Sequence, residues 1–138
     1  MEDWYFYALI AAVFIGIKDM MTKDISKRYT YIEYVIVANI LIFILTLIYI
    51  FTMKPTIKKP NVKDGFYILI RILIVLLVVE PCIFTALKTC DNPGYAKSII
   101  NLNTLVAFVL GMFILKTELN YKSMMGIALI VTGSLLIY

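Results

Sequence analysis

Glu80, Phe84 and Lys88 recur at four-residue steps in EPCIFTALK, some fifteen residues into one of the apolar blocks of this chain. On a helix that spacing sets a carboxylate, a ring and an amine along one face. A carboxylate so deep in apolar surroundings costs on the order of several kcal/mol unless it is protonated, paired or wet. Glu80 is therefore a candidate for holding a proton or a cationic solute. Pro81 has no amide hydrogen, so an α-helix through it leaves the Leu77 carbonyl unsatisfied, and a kink is expected there. The competing use of Glu80 is a structural ion pair with Lys18, or with Lys88 about 12 Å farther along the axis.

A second constellation is Lys97, Asn101, Thr104, Phe108 and Gly111, which share one helical stripe at spacings of four, three, four and three. The stripe grades from polar to apolar. Its Lys97 end suits a cavity lining with Phe108 as a wall and Gly111 as a close helix contact; the alternative is hydrogen bonding between helices by Asn101 and Thr104. Lys18 and Asp19 are sequence neighbours, about 100° apart on a helix, and are not expected to pair with each other. Either one of them faces a cavity or both lie at the membrane interface. Asn39 is expected to hydrogen-bond rather than to bind a solute. Arg71, about 9 Å into its segment, is expected to snorkel toward a lysine-rich loop. Candidate substrate or proton-coupling residues are thus Glu80, Lys18, Asp19, Lys88, Lys97, Asn101 and Thr104. The sign of the substrate stays open: Lys18, Lys88 and Lys97 suit an anion, whereas Glu80 with Phe84, Trp4, Tyr5 and Tyr7 suits a cation.

These residues sit in a chain of 138 residues that is 62% apolar and only 16% charged, with a mean hydropathy of +0.93. That is too little polar surface to enclose a water-soluble core, and it places the chain in a bilayer. The net charge of +4 is scattered between apolar blocks, which argues against a nucleic-acid partner. There is no histidine, and Cys82 and Cys90 form no paired motif, so neither a metal site nor a disulfide framework is expected. No phosphate loop or nucleophile elbow appears, so the chain is not expected to be an enzyme or to carry a cofactor. Glu2 and Asp3 replace the basic start of a signal peptide.

Polar breaks leave five apolar segments, near Trp4 to Lys23, Tyr31 to Met53, Gly65 to Leu87, Ala96 to Leu115 and Lys122 to Tyr138. The connections DISKRYT, KPTIKKPNVKDG, DNPG and KTELN read as loops. Continuous apolar runs exclude the alternation of a membrane barrel. One five-helix domain over residues 1–138 is expected, all-α and multi-pass in a membrane, with lipid around it.

Glu118, a short polar link and then Gly126 and Gly133 in a last apolar helix resemble the end of an EamA-type unit of the drug/metabolite transporter superfamily. FTALKTCDNPGYAKSIINLNTLVAFVLGMFILKTEL is similar to the passage from third to fourth helix in that family, and FIGIKD around Gly16 weakly resembles its first-helix element. Two departures stand out: Thr104 where the family often has proline, and Ala38-Asn39 where it often has arginine. The resemblance implies one half of a ten-helix inverted-repeat bundle, and a secondary transporter that carries a small solute by alternating access. A non-transporting scaffold or assembly subunit, or a passive channel, are the rival functions.

An isolated five-helix unit is then expected to work as a homodimer, with an antiparallel arrangement reproducing the inverted repeat. Insertion follows the Lys and Arg bias of short loops. Lys54, Lys58, Lys59, Lys63, Lys116 and Lys122 lie on the N-terminal side, against Lys18, Lys23, Lys27, Arg28, Lys88 and Lys97 on the other. That near balance is compatible with both orientations. Gly126 and Gly133, one heptad apart, together with Gly111, are expected to form the seam for helix packing or dimer contact. Glu118 is expected to cap or anchor a helix end.

Overall fold

The computed structural model describes residues 3–116 and 120–137, so Glu118 and Tyr138 lie outside the described residues. Every regular element is helical: α1 Asp3–Ser26, α2 Tyr31–Met53, α3 Val62–Ile74, a π-helical segment Val75–Val79, α4 Glu80–Thr89, α5 Pro93–Ile100, α6 Asn103–Leu115 and α7 Tyr121–Leu135. α3, the π segment and α4 run on as one 28-residue helix. Five helical spans result among the described residues, as the polar breaks imply.

The breaks end helices by specific chemistry. Thr30 and Glu33 form a reciprocal capping box that opens α2. Asn61 accepts from the Asp64 amide to open α3, Asn92 from Gly94 to open α5, and Asn120 from Lys122 to open α7. Pro93 occupies the first turn of α5, where no amide is needed. α2 stops where Lys54 turns left-handed at φ 43°, with its amide still bonded to the Ile50 carbonyl.

Two departures from expectation bear on the candidate residues. α1 continues three residues past Lys23 to Ser26. The fourth span is divided at Asn101–Leu102: the Leu102 amide donates to Ile99 and the Thr104 amide to Asn101, both i to i−3. This is a short 3₁₀ turn, which rotates successive residues by about 120° where an α-helix rotates them by about 100°. The expected stripe from Lys97 to Gly111 is therefore not one continuous face.

The chain forms two compact units, Met1–Lys88 and Thr89–Tyr138. In the first, α1 packs on α2; in the second, α5 and α6 pack on α7. Among the described residues the only buried apolar side chains are Phe84 and Leu87, and α2 buries none of its 23 residues. Leu41, Phe43 and Leu45 are each more than half exposed. Such surface is untenable in water and ordinary in lipid, where hydrocarbon is the solvent. Among the described residues three helices, Tyr31–Met53, Val62–Thr89 and Pro93–Ile114, are long and apolar enough to cross a membrane, and α7 is a shorter apolar helix. Thr46, Thr132 and Ser134 return their hydroxyls to carbonyls four residues back, which satisfies them without water.

Candidate functional site

The face of α2 that carries Tyr31, Tyr34, Ala38 and Asn39 borders a groove of about 320 Å³ in the first unit. Across it stand Arg71, Ile72, Val75, Leu76 and Glu80, and α1 adds Lys18. Three charged side chains and Asn39 thus share one groove with largely aliphatic walls.

A change of helical register brings Arg71 and Glu80 together. Nine residues at about 100° each would leave them roughly 180° apart on a regular α-helix. The π segment takes up one extra residue: the Glu80 amide donates to Val75, five residues back. Everything after it is re-phased by about one residue, roughly 100°, so Glu80 comes to the groove where residue 79 of an α-helix would lie. Arg71 precedes the π segment and keeps its place; expected to snorkel toward the lysine-rich loop, it borders the groove while staying exposed.

Pro81 explains where the π segment sits. In the i to i−5 pattern the amide of residue 81 would serve Leu76, and proline has none. The Tyr31 hydroxyl donates to the Leu76 carbonyl instead, at 2.8 Å. The freed acceptor is therefore Leu76, not the Leu77 that an unbroken α-helix would leave, and a side chain from α2 satisfies it. An open carbonyl there would cost on the order of 1–3 kcal/mol.

Phe84 holds this junction. Its ring lies edge-on to Tyr31 with centroids 5.6 Å apart and stacks on Tyr34 at 5.5 Å. At 3% exposure it is core, which corrects its assignment as a ring for a cation between Glu80 and Lys88. Tyr7 is 74% exposed and does not border the groove. The side chains of Trp4 and Tyr5 lie outside those described.

Lys18 and Asp19 do pair, at 3.4 Å, against expectation. Their Cβ atoms diverge, but the four-carbon lysine stem swings its ammonium back to the neighbouring carboxylate. Asp19 is buried while the Lys18 side chain stays half-exposed at the groove. Glu80 has no ion pair with Lys18 or Lys88. Lys88 is exposed two turns beyond Glu80 and does not border the groove.

In the second unit Lys97 is half-buried on α5, and Asn101 and Thr104 are exposed around the 3₁₀ turn. A separate apolar groove runs between α6 and α7, lined by Leu105, Phe108, Met124, Ile127 and Val131 among others, and it includes none of those three. A Cβ added at Gly126 or Gly133 would meet nothing within 4 Å, so neither glycine packs a helix inside this chain. That corrects the intrachain part of the expected seam and leaves both glycines on open surface. Gly111 is half-buried in α6.

Four groove residues are not among the expected site residues: Tyr31 and Tyr34, which go unnoticed in the sequence, and Asn39 and Arg71, which carry other expected roles there. The first three had a legible signal, since residues 31, 34, 35, 38, 39 and 42 repeat at helical spacing on one face. Arg71 had none, because α-helical phase points it away from Glu80.

Opposed charges and tyrosines thus share a small groove in a bundle whose apolar surface fits a membrane. The chain belongs to the EamA-like transporter family, whose pattern matches residues 3–138. It is an integral membrane protein of a transporter family that is generally not enzymatic. No curated protein and no solved structure matches it significantly.

Proposed function

We propose that this protein is a secondary transporter that moves a small polar solute by alternating access, with the groove between α1, α2 and α3–α4 as its solute site. The observation that carries the reading is the presence of Arg71 and Glu80 in one groove of an otherwise apolar helix bundle. Charges inside membrane segments are costly and mark solute or proton pathways. Glu80 is the coupling carboxylate in this reading, exchanging a proton for solute. The π segment beside it is the hinge in this reading, since π-bulges recur at functional sites.

The working unit is a homodimer of two five-helix chains, antiparallel in the membrane. Support comes from charge. With Lys18 and Arg71 in the groove, the remaining Lys and Arg of the earlier comparison stand at six on the N-terminal side against five on the other. The open face of α7 at Gly126 and Gly133 is the natural contact, since glycines let backbones approach closely.

One paired experiment tests both parts. Glu80→Gln is expected to abolish gradient-driven flux in proteoliposomes while the protein stays folded and dimeric; undiminished, pH-dependent flux would refute the coupling role. Reporter fusions at Tyr138 are expected on both sides of the membrane. Two or three lysines added to one loop set are expected to lock the orientation and lower activity, and full activity in the locked protein would refute the antiparallel dimer.

A further inference from the structure

We propose that the groove selects a zwitterion whose anionic and cationic groups are several bonds apart, the anion at Arg71 and the ammonium at Glu80. The inference rests on the reading of this groove as the solute site and names what enters it. The Lys18 ammonium, at 3.4 Å from Asp19, already has a counter-charge. Neither the Arg71 guanidinium nor the Glu80 carboxylate has an ion-pair partner among the described residues. The π segment turns Glu80 toward the groove that Arg71 borders, yet the two sit nine residues apart, about 13 Å along the helix. They are placed to be bridged by something between them.

Arg71 is exposed and Glu80 half-buried in the chain itself, and in a lipid-facing bundle an ion left uncompensated against apolar walls carries a desolvation penalty. A monoanion would satisfy Arg71 and strand Glu80; a monocation would do the reverse. A compact zwitterion such as glycine holds its charges too close together to reach both. An extended zwitterion satisfies both residues at once and carries no net charge through the membrane potential. The guanidinium fork matches a carboxylate or a phosphate, and a carboxylate acceptor suits an ammonium. Ile72, Val75 and Leu76 offer aliphatic wall to the spacer between the two charges. The cavity, about 320 Å³, is at the small end of ligand pockets, roughly 300–1,000 Å³.

The test is calorimetric titration of the purified protein in nanodiscs with ε-aminocaproate, glycine, hexanoate and hexylamine. ε-Aminocaproate is expected to bind at least about tenfold more tightly than each of the other three, a gain equivalent to one well-made charged contact. Arg71→Gln and Glu80→Gln should each erase that advantage. Hexanoate binding should fall only with Arg71→Gln, and hexylamine binding only with Glu80→Gln. The exchanged variant Arg71→Glu/Glu80→Arg keeps both charges and should keep the preference, which guards against a variant that merely misfolds. Equal binding of ε-aminocaproate and hexanoate, a preference untouched by both neutral variants, or no binding of any probe overturns the proposal. Uptake assays separate it from the transport reading. Tight ε-aminocaproate binding without saturable uptake refutes transport and leaves the site standing; saturable uptake of hexanoate or hexylamine without preference for the zwitterion does the opposite.

Discussion

The first unit, Met1–Lys88, buries Phe84 and Leu87 together with Asp19, Thr22 and Ser26 on α1, whereas the second, Thr89–Tyr138, buries only Ser134 among its described residues. Both contain a groove of about 320 Å³, but the one in the first unit carries Lys18, Arg71 and Glu80 and the one in the second is almost wholly apolar. The difference shows what a charged site in lipid requires. Arg71 and Glu80 face the same space only while a π segment holds its phase, and that phase is held by Tyr31 on the Leu76 carbonyl and by the Phe84 clasp. A groove with no charges to aim needs no such fixture, and α7 accordingly shows open glycines.

The largest effect that probes this contrast is a deletion. Removing Val78 takes out the extra residue, returns the segment to α-helical phase and turns Glu80 about 100° relative to Arg71. Transport and ε-aminocaproate binding are expected to fall to background while circular dichroism shows unchanged helix content. Binding that survives the deletion would break the link between register and site.

Next in size is a matched pair of truncations. Phe84→Ala empties the clasp and is expected to cost about 3–5 kcal/mol. Phe108→Ala, at a half-buried ring in the apolar groove, should cost less than half as much, because the site it leaves is already open. Reversible unfolding in bicelles measures both, and equal costs would erase the distinction between the units.

The smallest effect sharpens the comparison most. Tyr31→Phe keeps the ring against Phe84 and removes only the hydroxyl from the Leu76 carbonyl, for about 1 kcal/mol. Pro81→Ala restores an amide at residue 81, so Tyr31→Phe should cost less in that background. A double-mutant cycle reads the difference as a coupling energy. Additive costs would mean that the hydroxyl and the proline act independently.

Much of the fold followed from local chemistry in the sequence. Continuous apolar runs set the medium and the five spans, and Thr30, Asn61, Asn92 and Asn120 open their helices through side-chain bonds to amides two or three residues on. α2 runs from Tyr31 to Met53, where its flanking polar residues place it. Glu80 stood out as a site residue because a carboxylate in an apolar run is conspicuous whatever the fold. The tertiary structure decided what depends on phase and reach. One extra residue in the π segment brought Glu80 round to the groove that Arg71 borders, a 3₁₀ turn at Asn101–Leu102 broke the polar stripe of the fourth span, and a flexible lysine stem joined Lys18 to Asp19. Residue spacing assumes a uniform rotation per residue, and at these points the backbone departs from it or a long side chain outreaches it, so the neighbours had to be set by packing across helices.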